Sequence, residues 1–155
     1  MGSLSPTMIK VKRIDHVALA VANRDTATRD LSALFGLATG ARETVAGQQT
    51  DVAFLHAGGA ATGADTAVEI CAPAGAVDGP LARFLAKRGP GLHHVCFEVD
   101  DLRGALATLK AAGVRLIDET PRPGARGHMV AFLHPAATGG VLFELCEQAH
   151  TGSAA

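Results

Sequence analysis

Hydrophobic and polar positions follow the same order in two stretches of this chain. Ile14-Asp-His-Val-Ala-Leu-Ala-Val21 and Leu92-His-His-Val-Cys-Phe-Glu-Val99 both alternate as strands do, and His16 and His94 hold matching places 78 residues apart. A helical pattern follows each. Asn23 and Asp25 are candidate caps for a helix carrying Leu31, Leu34 and Phe35, with Gly36 as its stop. Asp100 or Asp101 opens a second helix with Leu102, Leu106 and Leu109, and Gly113 ends it.

Three short strands complete each copy. In the first they are expected near residues 38–45, 50–56 and 66–72, with Gly58, Gly59 and Gly63 breaking the chain before the last. In the second they are expected near 114–118, 128–133 and 140–147. Val52-Ala-Phe-Leu-His56 recurs as Val130-Ala-Phe-Leu-His134, and Ala67-Val-Glu-Ile-Cys71 as Leu142-Phe-Glu-Leu-Cys146. The expected fold class is therefore α+β. Two tandem βαβββ modules form one curved, cup-shaped mixed sheet with the helices outside. We expect a flexible tail at 1–10, one domain at 11–147 and a second tail at 148–155. Module one takes about 11–73 and module two about 92–147. The linker at 74–91 carries Leu81, Phe84 and Leu85 in one short helix.

Strand periodicity sorts the faces, because side chains at i and i+2 share a side. Val17, Leu19, Val95, Phe97, Val68, Ile70, Phe143 and Leu145 make a bulky face suited to covering helices. His16, Glu69, His94 and Glu144 fall on the other face, which lines the cup. A carboxylate in an apolar strand is costly to bury unpaired. Two such acids at repeat-equivalent positions beside two repeat-equivalent imidazoles make a divalent-metal site. The plainer alternative is a pair of solvated sheet faces. His93 has the parity of Val95 and is expected toward the helix side. His56 and His134 match each other without an assigned face. His128 and His150 have no repeat counterpart and read as surface or loop residues.

Composition narrows the partners. The chain has 155 residues, 48% hydrophobic and 19% charged, so a sizeable core is within reach. Net charge is −1 with no basic stripe, which argues against nucleic acid. No apolar run approaches the roughly 20 residues of a membrane helix, and residues 1–7 lack the apolar heart of a signal peptide. A soluble, cytoplasmic protein is expected. Cys71, Cys96 and Cys146 lie in apolar strands and read as reduced, buried thiols. Each follows a proposed ligand by two residues, about 6.6 Å along a strand. They are expected as a layer beneath the metal rather than as ligands to it.

The chain resembles the vicinal-oxygen-chelate superfamily and, within it, the branch of epimerases acting on methylmalonyl-CoA. The phrases that carry the resemblance are Ile14-Asp-His-Val-Ala, Arg88-Gly-Pro-Gly-Leu-His-His-Val-Cys-Phe-Glu-Val-Asp-Asp101, Arg122-Pro-Gly-Ala-Arg-Gly-His128, Ala131-Phe-Leu-His-Pro135 and Gly139-Gly-Val-Leu-Phe-Glu-Leu-Cys-Glu147. By this resemblance His16, Glu69, His94 and Glu144 occupy the four metal positions. The metal it implies is cobalt(II), with zinc, nickel, manganese or magnesium as alternatives, and it also implies a homodimer. The implied activity interconverts the (2R) and (2S) forms of methylmalonyl-CoA through a metal-stabilised enolate, with Glu144 as ligand and base. Some members carry a glutamate base where this chain has Val52, so the second acid/base is left to another residue or a water. An acyl-CoA thioester needs cations at the rim, for which Lys87, Arg88, Arg122 and Arg126 are candidates beside the loop at 121–128. The competing functions are a glyoxalase I-type lactoylglutathione lyase, an extradiol dioxygenase and a non-catalytic small-molecule-binding or resistance protein of the same fold.

Overall fold

The computed structural model describes residues 7–59, 65–75 and 78–149. The outer parts of both expected tails, Gly63 and His150 lie outside the described residues. The elements run β1 (Arg13–Ala20), α1 (Arg24–Phe35), β2 (Ala38–Val45), β3 (Thr50–His56), β4 (Ala67–Pro73), α2 (Pro80–Arg88), β5 (Gly91–Glu98), α3 (Leu102–Ala111), β6 (Arg122–Pro123), β7 (Met129–Leu133) and β8 (Phe143–Glu147).

The eight strands form one sheet in the order β2-β3-β4-β1-β5-β8-β7-β6. In each half the first strand pairs in parallel with the last, β1 with β4 and β5 with β8, and the middle strands add antiparallel. The halves join edge to edge through the antiparallel β1–β5 pair. The result is the expected pair of βαβββ modules in a curled half-barrel, with α1 and α3 on the outer face and the linker helix α2 packed on Ala18, Ala20, Val52, Phe54 and Cys71 of the inner face.

Local chemistry explains the helices. The Asn23 side chain accepts the Thr26 N–H at 2.9 Å, and Gly36 ends α1 in the left-handed region at φ 66°. Asp101 accepts the Gly104 N–H at 2.9 Å to start α3. Leu102, Leu106 and Leu109 of α3 are buried against Ala131, Leu133 and Leu145. Ala27 and Leu31 of α1 pack on Leu19, Val68, Ile70, Ala53 and Leu55. Each fully buried aliphatic side chain contributes about 1.5–3 kcal/mol. No helix among the described residues is long and apolar enough to cross a membrane.

Two expectations need correction. Leu34 and Phe35 lie at helical spacing but are 73% and 69% exposed, so α1 buries a narrower face than its pattern suggests. Residues 114–118 form no strand. Leu116 makes a single bridge to Leu133, and the N–H groups of Ile117 and Asp118 both donate to the Phe132 carbonyl, so no ladder propagates. The short β6 takes the edge instead. Its Pro123 is tolerated there because an edge position requires no inward N–H.

Candidate functional site

Four central strands each deliver one donor side chain to the cup. His16 comes from β1, Glu69 from β4, His94 from β5 and Glu144 from β8, and all four are buried. The His16 Nε2 lies 2.6 Å from Glu69 Oε2, 3.2 Å from His94 Nε2 and 3.5 Å from Glu144 Oε1. The His94 Nε2 lies 3.8 Å from Glu144 Oε2 and 4.0 Å from Glu69 Oε2. Ligands about 2.0–2.2 Å from one ion stand roughly 3–3.5 Å from each other. His16, His94 and Glu144 thus form a group compact enough to hold an ion, with Glu69 against His16, and their nitrogen–oxygen chemistry suits a borderline divalent cation. Phe54 and Phe132 lie beside Glu69 and Glu144 in register, and their rings meet His16 and His94 edge-on at 5.7 and 5.2 Å.

The register between β1 and β5 shifts twice. Ile14 pairs with Phe97 and His16 with Cys96, which leaves Asp15 as an extra residue. Ala18 pairs with His94 and Leu19 with Leu92, which leaves His93 extra. Such bulges re-aim side chains away from simple alternation. Asp15 therefore escapes the parity of its strand. It has no exposed surface, and its Oδ2 accepts the His16 Nδ1–H at 2.7 Å. The Arg13 guanidinium also reaches Asp15 at 3.0 Å, and Arg126 forms a further ion pair with it. His93 likewise turns from the expected helix side, and its Nδ1 lies 2.9 Å from the His94 Nδ1. Metal-binding imidazoles characteristically have their second nitrogen held in this way.

The loop before β7 crosses the cup. Arg126 adopts φ 57°, donates its backbone N–H to Glu43 and lays its guanidinium 4.1 Å from the centre of the Phe54 ring. Module two thereby clasps module one. Below this clasp a small enclosed space touches His16, Glu69, Glu144, Gln48 and His128. A larger cavity of about 240 Å³ meets Glu69, His93 and His94 from the other side and is walled by Phe132, Leu142 and Ile117.

Electrostatics reflect the crowding of unscreened charge. Burial opposes protonation of His16, but the Glu69 carboxylate and Asp15 outweigh it and lift its pKa to about 10. Burial also opposes ionisation of Glu69, yet His16 holds it down to about 2. For Glu144 burial prevails, and with Glu69 nearby its pKa rises to about 8. Burial lowers His94 to about 3. Asp15 is held well below the usual carboxylate range because His16 and Arg126 outweigh its burial. The Cys71 thiol donates to Glu69 Oε1 at 3.1 Å, and burial beside that carboxylate keeps it protonated. The described residues include three free, buried cysteines.

The four residues singled out from the repeat thus converge. Asp15, His93, Arg126 and His128 are additional. Arg126 was expected as a rim cation and instead pairs with Asp15; the repeat gave no signal for His128 or Asp15, and for His93 the parity rule pointed the wrong way. His56 is buried with its Nδ1 2.8 Å from Asp65, and His134 caps a turn by accepting the Ala136 N–H. Val52 is 1% exposed in an apolar cluster with Val45 and Phe54, on which Ala125 packs.

The profile of the glyoxalase/bleomycin resistance protein/dioxygenase superfamily matches residues 15–132. The mitochondrial methylmalonyl-CoA epimerase of Bos taurus is 38% identical over 138 residues, covering 88% of this chain and 74% of that protein. The crystal structure of methylmalonyl-CoA epimerase from Mycobacterium tuberculosis superposes with a TM-score of 0.84 at 34% identity, over 99% of this chain and 97% of the other. A methylmalonyl-CoA epimerase solved in complex with methylmalonyl-CoA and NH4+ gives a TM-score of 0.84 at 30% identity, over 91% and 97%.

Proposed function

Because this chain belongs to the glyoxalase/bleomycin resistance protein/dioxygenase superfamily, we propose that it is a divalent-metal-dependent epimerase interconverting the (2R) and (2S) forms of methylmalonyl-CoA. The observation that carries this reading is the convergence of two imidazole nitrogens and two carboxylates from four strands of two modules, each carboxylate within 4.0 Å of both imidazoles. The relatives named methylmalonyl-CoA epimerases supply the substrate class and place the chemistry among isomerases. In this proposal His16, Glu69, His94 and Glu144 are the ligands and cobalt(II) is the native ion, with zinc, nickel, manganese and magnesium as weaker candidates.

Epimerisation removes the proton on the carbon between thioester and carboxylate and returns it on the other face. A divalent ion held by His16, Glu69, His94 and Glu144 would supply positive charge to the oxygen that becomes negative as the proton leaves. Glu144 takes the proton. Its carboxylate is buried, which strengthens it as a base, and it must come within hydrogen-bond reach of the substrate's α-hydrogen. Asp15 fixes the ring of His16 and leaves its Nε2 facing the cup. Phe132, Leu142 and Ile117 line the approach with apolar surface. Val52 offers no carboxylate, so the returning proton comes from another residue or a water.

An acyl-CoA needs a longer channel than the acid alone. A groove of about 630 Å³ adjoins the cavity, shares His93, His94 and Ile117 with it, and brings in Arg83, Lys87 and Arg88. We assign the CoA portion to this groove. The same reading carries a homodimer, for which the exposed Ile14, Leu92 and Val141 beside the central strands offer apolar surface.

The test is isotope exchange. The protein is incubated in heavy water with methylmalonyl-CoA and cobalt(II), and deuterium entry at the α-carbon is followed. Exchange is expected, and it should stop with a chelator and in Glu144→Gln. Absence of exchange with every divalent metal tried would remove the epimerase reading. Isomerisation of a glutathione hemithioacetal in its place would point to the lyase.

A further inference from the structure

We propose that His93 is a positioning residue. Its Nδ1 accepts the N–H of His94 and so turns the His94 Nε2 into the cup, serving the second module as Asp15 serves the first. This inference rests on the metal reading above.

Geometry supplies the argument. In an uninterrupted strand, His93 and His94 would point to opposite faces. The register shift at His93 removes that constraint, just as the shift at Asp15 does next to His16. Each bulged residue immediately precedes its histidine, and each brings a polar atom to that histidine's Nδ1, at 2.7 Å for Asp15 and 2.9 Å for His93.

The proton between the two Nδ1 atoms can be assigned by elimination. In the proposed metal-bound state the His94 Nε2, which faces the cup beside the His16 Nε2 and the Glu144 carboxylate, gives its lone pair to the ion. A neutral imidazole then carries its proton on Nδ1. That N–H donates, and the His93 Nδ1 accepts. His93 is consequently the neutral tautomer protonated on Nε2. Its ring is braced from the far side by Phe84 of α2, edge-on at 4.8 Å. Phe84 itself packs on the cluster of Ala18, Val52 and Leu81. The linker helix thus sets the orientation of a histidine in the second module.

The two modules reach the same end with different chemistry. Asp15 is a carboxylate and raises electron density on the His16 ring; His93 is a neutral imidazole and does so far less. The two nitrogen ligands of the proposed ion are therefore unequal donors.

Two measurements test the proposal. Imidazole nitrogen–proton correlation NMR on the zinc-loaded protein reads the tautomers directly. His93 is expected with a bare Nδ1 and a protonated Nε2, and His94 with a protonated Nδ1. A His93 ring protonated on Nδ1 overturns the proposal. The second measurement is the zinc dissociation constant, by chelator competition, in two variants. His93→Phe keeps the ring against Phe84 but removes the acceptor, and zinc binding should weaken about 10- to 100-fold. His93→Asn places an oxygen where Nδ1 stood and should stay within about threefold of the parent. Zinc bound normally by His93→Phe, or equal loss in both variants with unchanged circular dichroism, also overturns it. If the parent protein binds no zinc at all, the metal reading fails instead. With no ion to hold the His94 Nε2 lone pair, the role proposed for His93 falls with that reading.

Discussion

Asp15 is a charged side chain with no exposed surface, and three partners make that tolerable: Arg13, Arg126 and the His16 Nδ1–H. Breaking a buried network of this kind by changing one member is costly, because the others stay behind uncompensated. Asp15→Asn should weaken divalent-metal binding about 10- to 100-fold and lower thermal stability. Chelator competition and a melting curve check both, and parental metal affinity in that variant would deny Asp15 its orienting role. The titration of the cup gives a second expectation. Without metal, His16 keeps its proton up to about pH 10 and Glu144 up to about pH 8, whereas a ligand must be deprotonated. Zinc binding at pH 7 should therefore release at least one proton per ion, and affinity should rise with pH. Calorimetry in two buffers of unlike ionisation heat measures the release, and a value of zero contradicts the scheme. At this scale the sequence was informative for His16, Glu69, His94 and Glu144, because each has a counterpart in the other module. It was misleading for His93 and silent on Asp15. Alternation assigned His93 to the outer face and did not single out Asp15, and a bulge leaves no mark in a hydrophobic pattern.

Elements differ in how much local chemistry determines them. Helix α3 has a capping aspartate, a left-handed glycine at its end (Gly113, φ 79°) and three leucines on one face. Its core residue Leu106 is 1% exposed. Leu106→Ala should cost about 2–5 kcal/mol, seen as a lower urea midpoint with an unchanged slope. A loss under about 1 kcal/mol would mean that α3 is not part of the cooperative core. The boundaries of β2 and β3 are equally legible, since alternation and turn residues agree there. Residues 114–118 show where such reasoning runs out. Their apolar pattern suits a strand, but strand identity requires a ladder, and two successive N–H groups spend themselves on the one Phe132 carbonyl. Helix α1 shows the converse. Leu34 and Phe35 continue the helical spacing beyond the sheet surface that Ala27 and Leu31 cover.

For the whole molecule, the cup is a joint property of both halves. Each module brings one histidine and one glutamate, and the modules meet along β1 and β5. An ion bound by all four holds the folded form only, so it should add about 1.4 kcal/mol for each tenfold excess of free metal over its dissociation constant. Titrating zinc into the metal-free protein should raise the melting temperature steadily, and a chelator should return it to the starting value. A melting point indifferent to metal would place the ion, if bound at all, outside this cup. The edge-to-edge join has one more consequence. Donors drawn from opposite banks of a seam fall out of range as soon as the banks part. The colour of a cobalt-loaded sample would then act as a gauge of that seam, fading when the first hydrogen bonds between the two central strands give way, even while each half keeps its own helices.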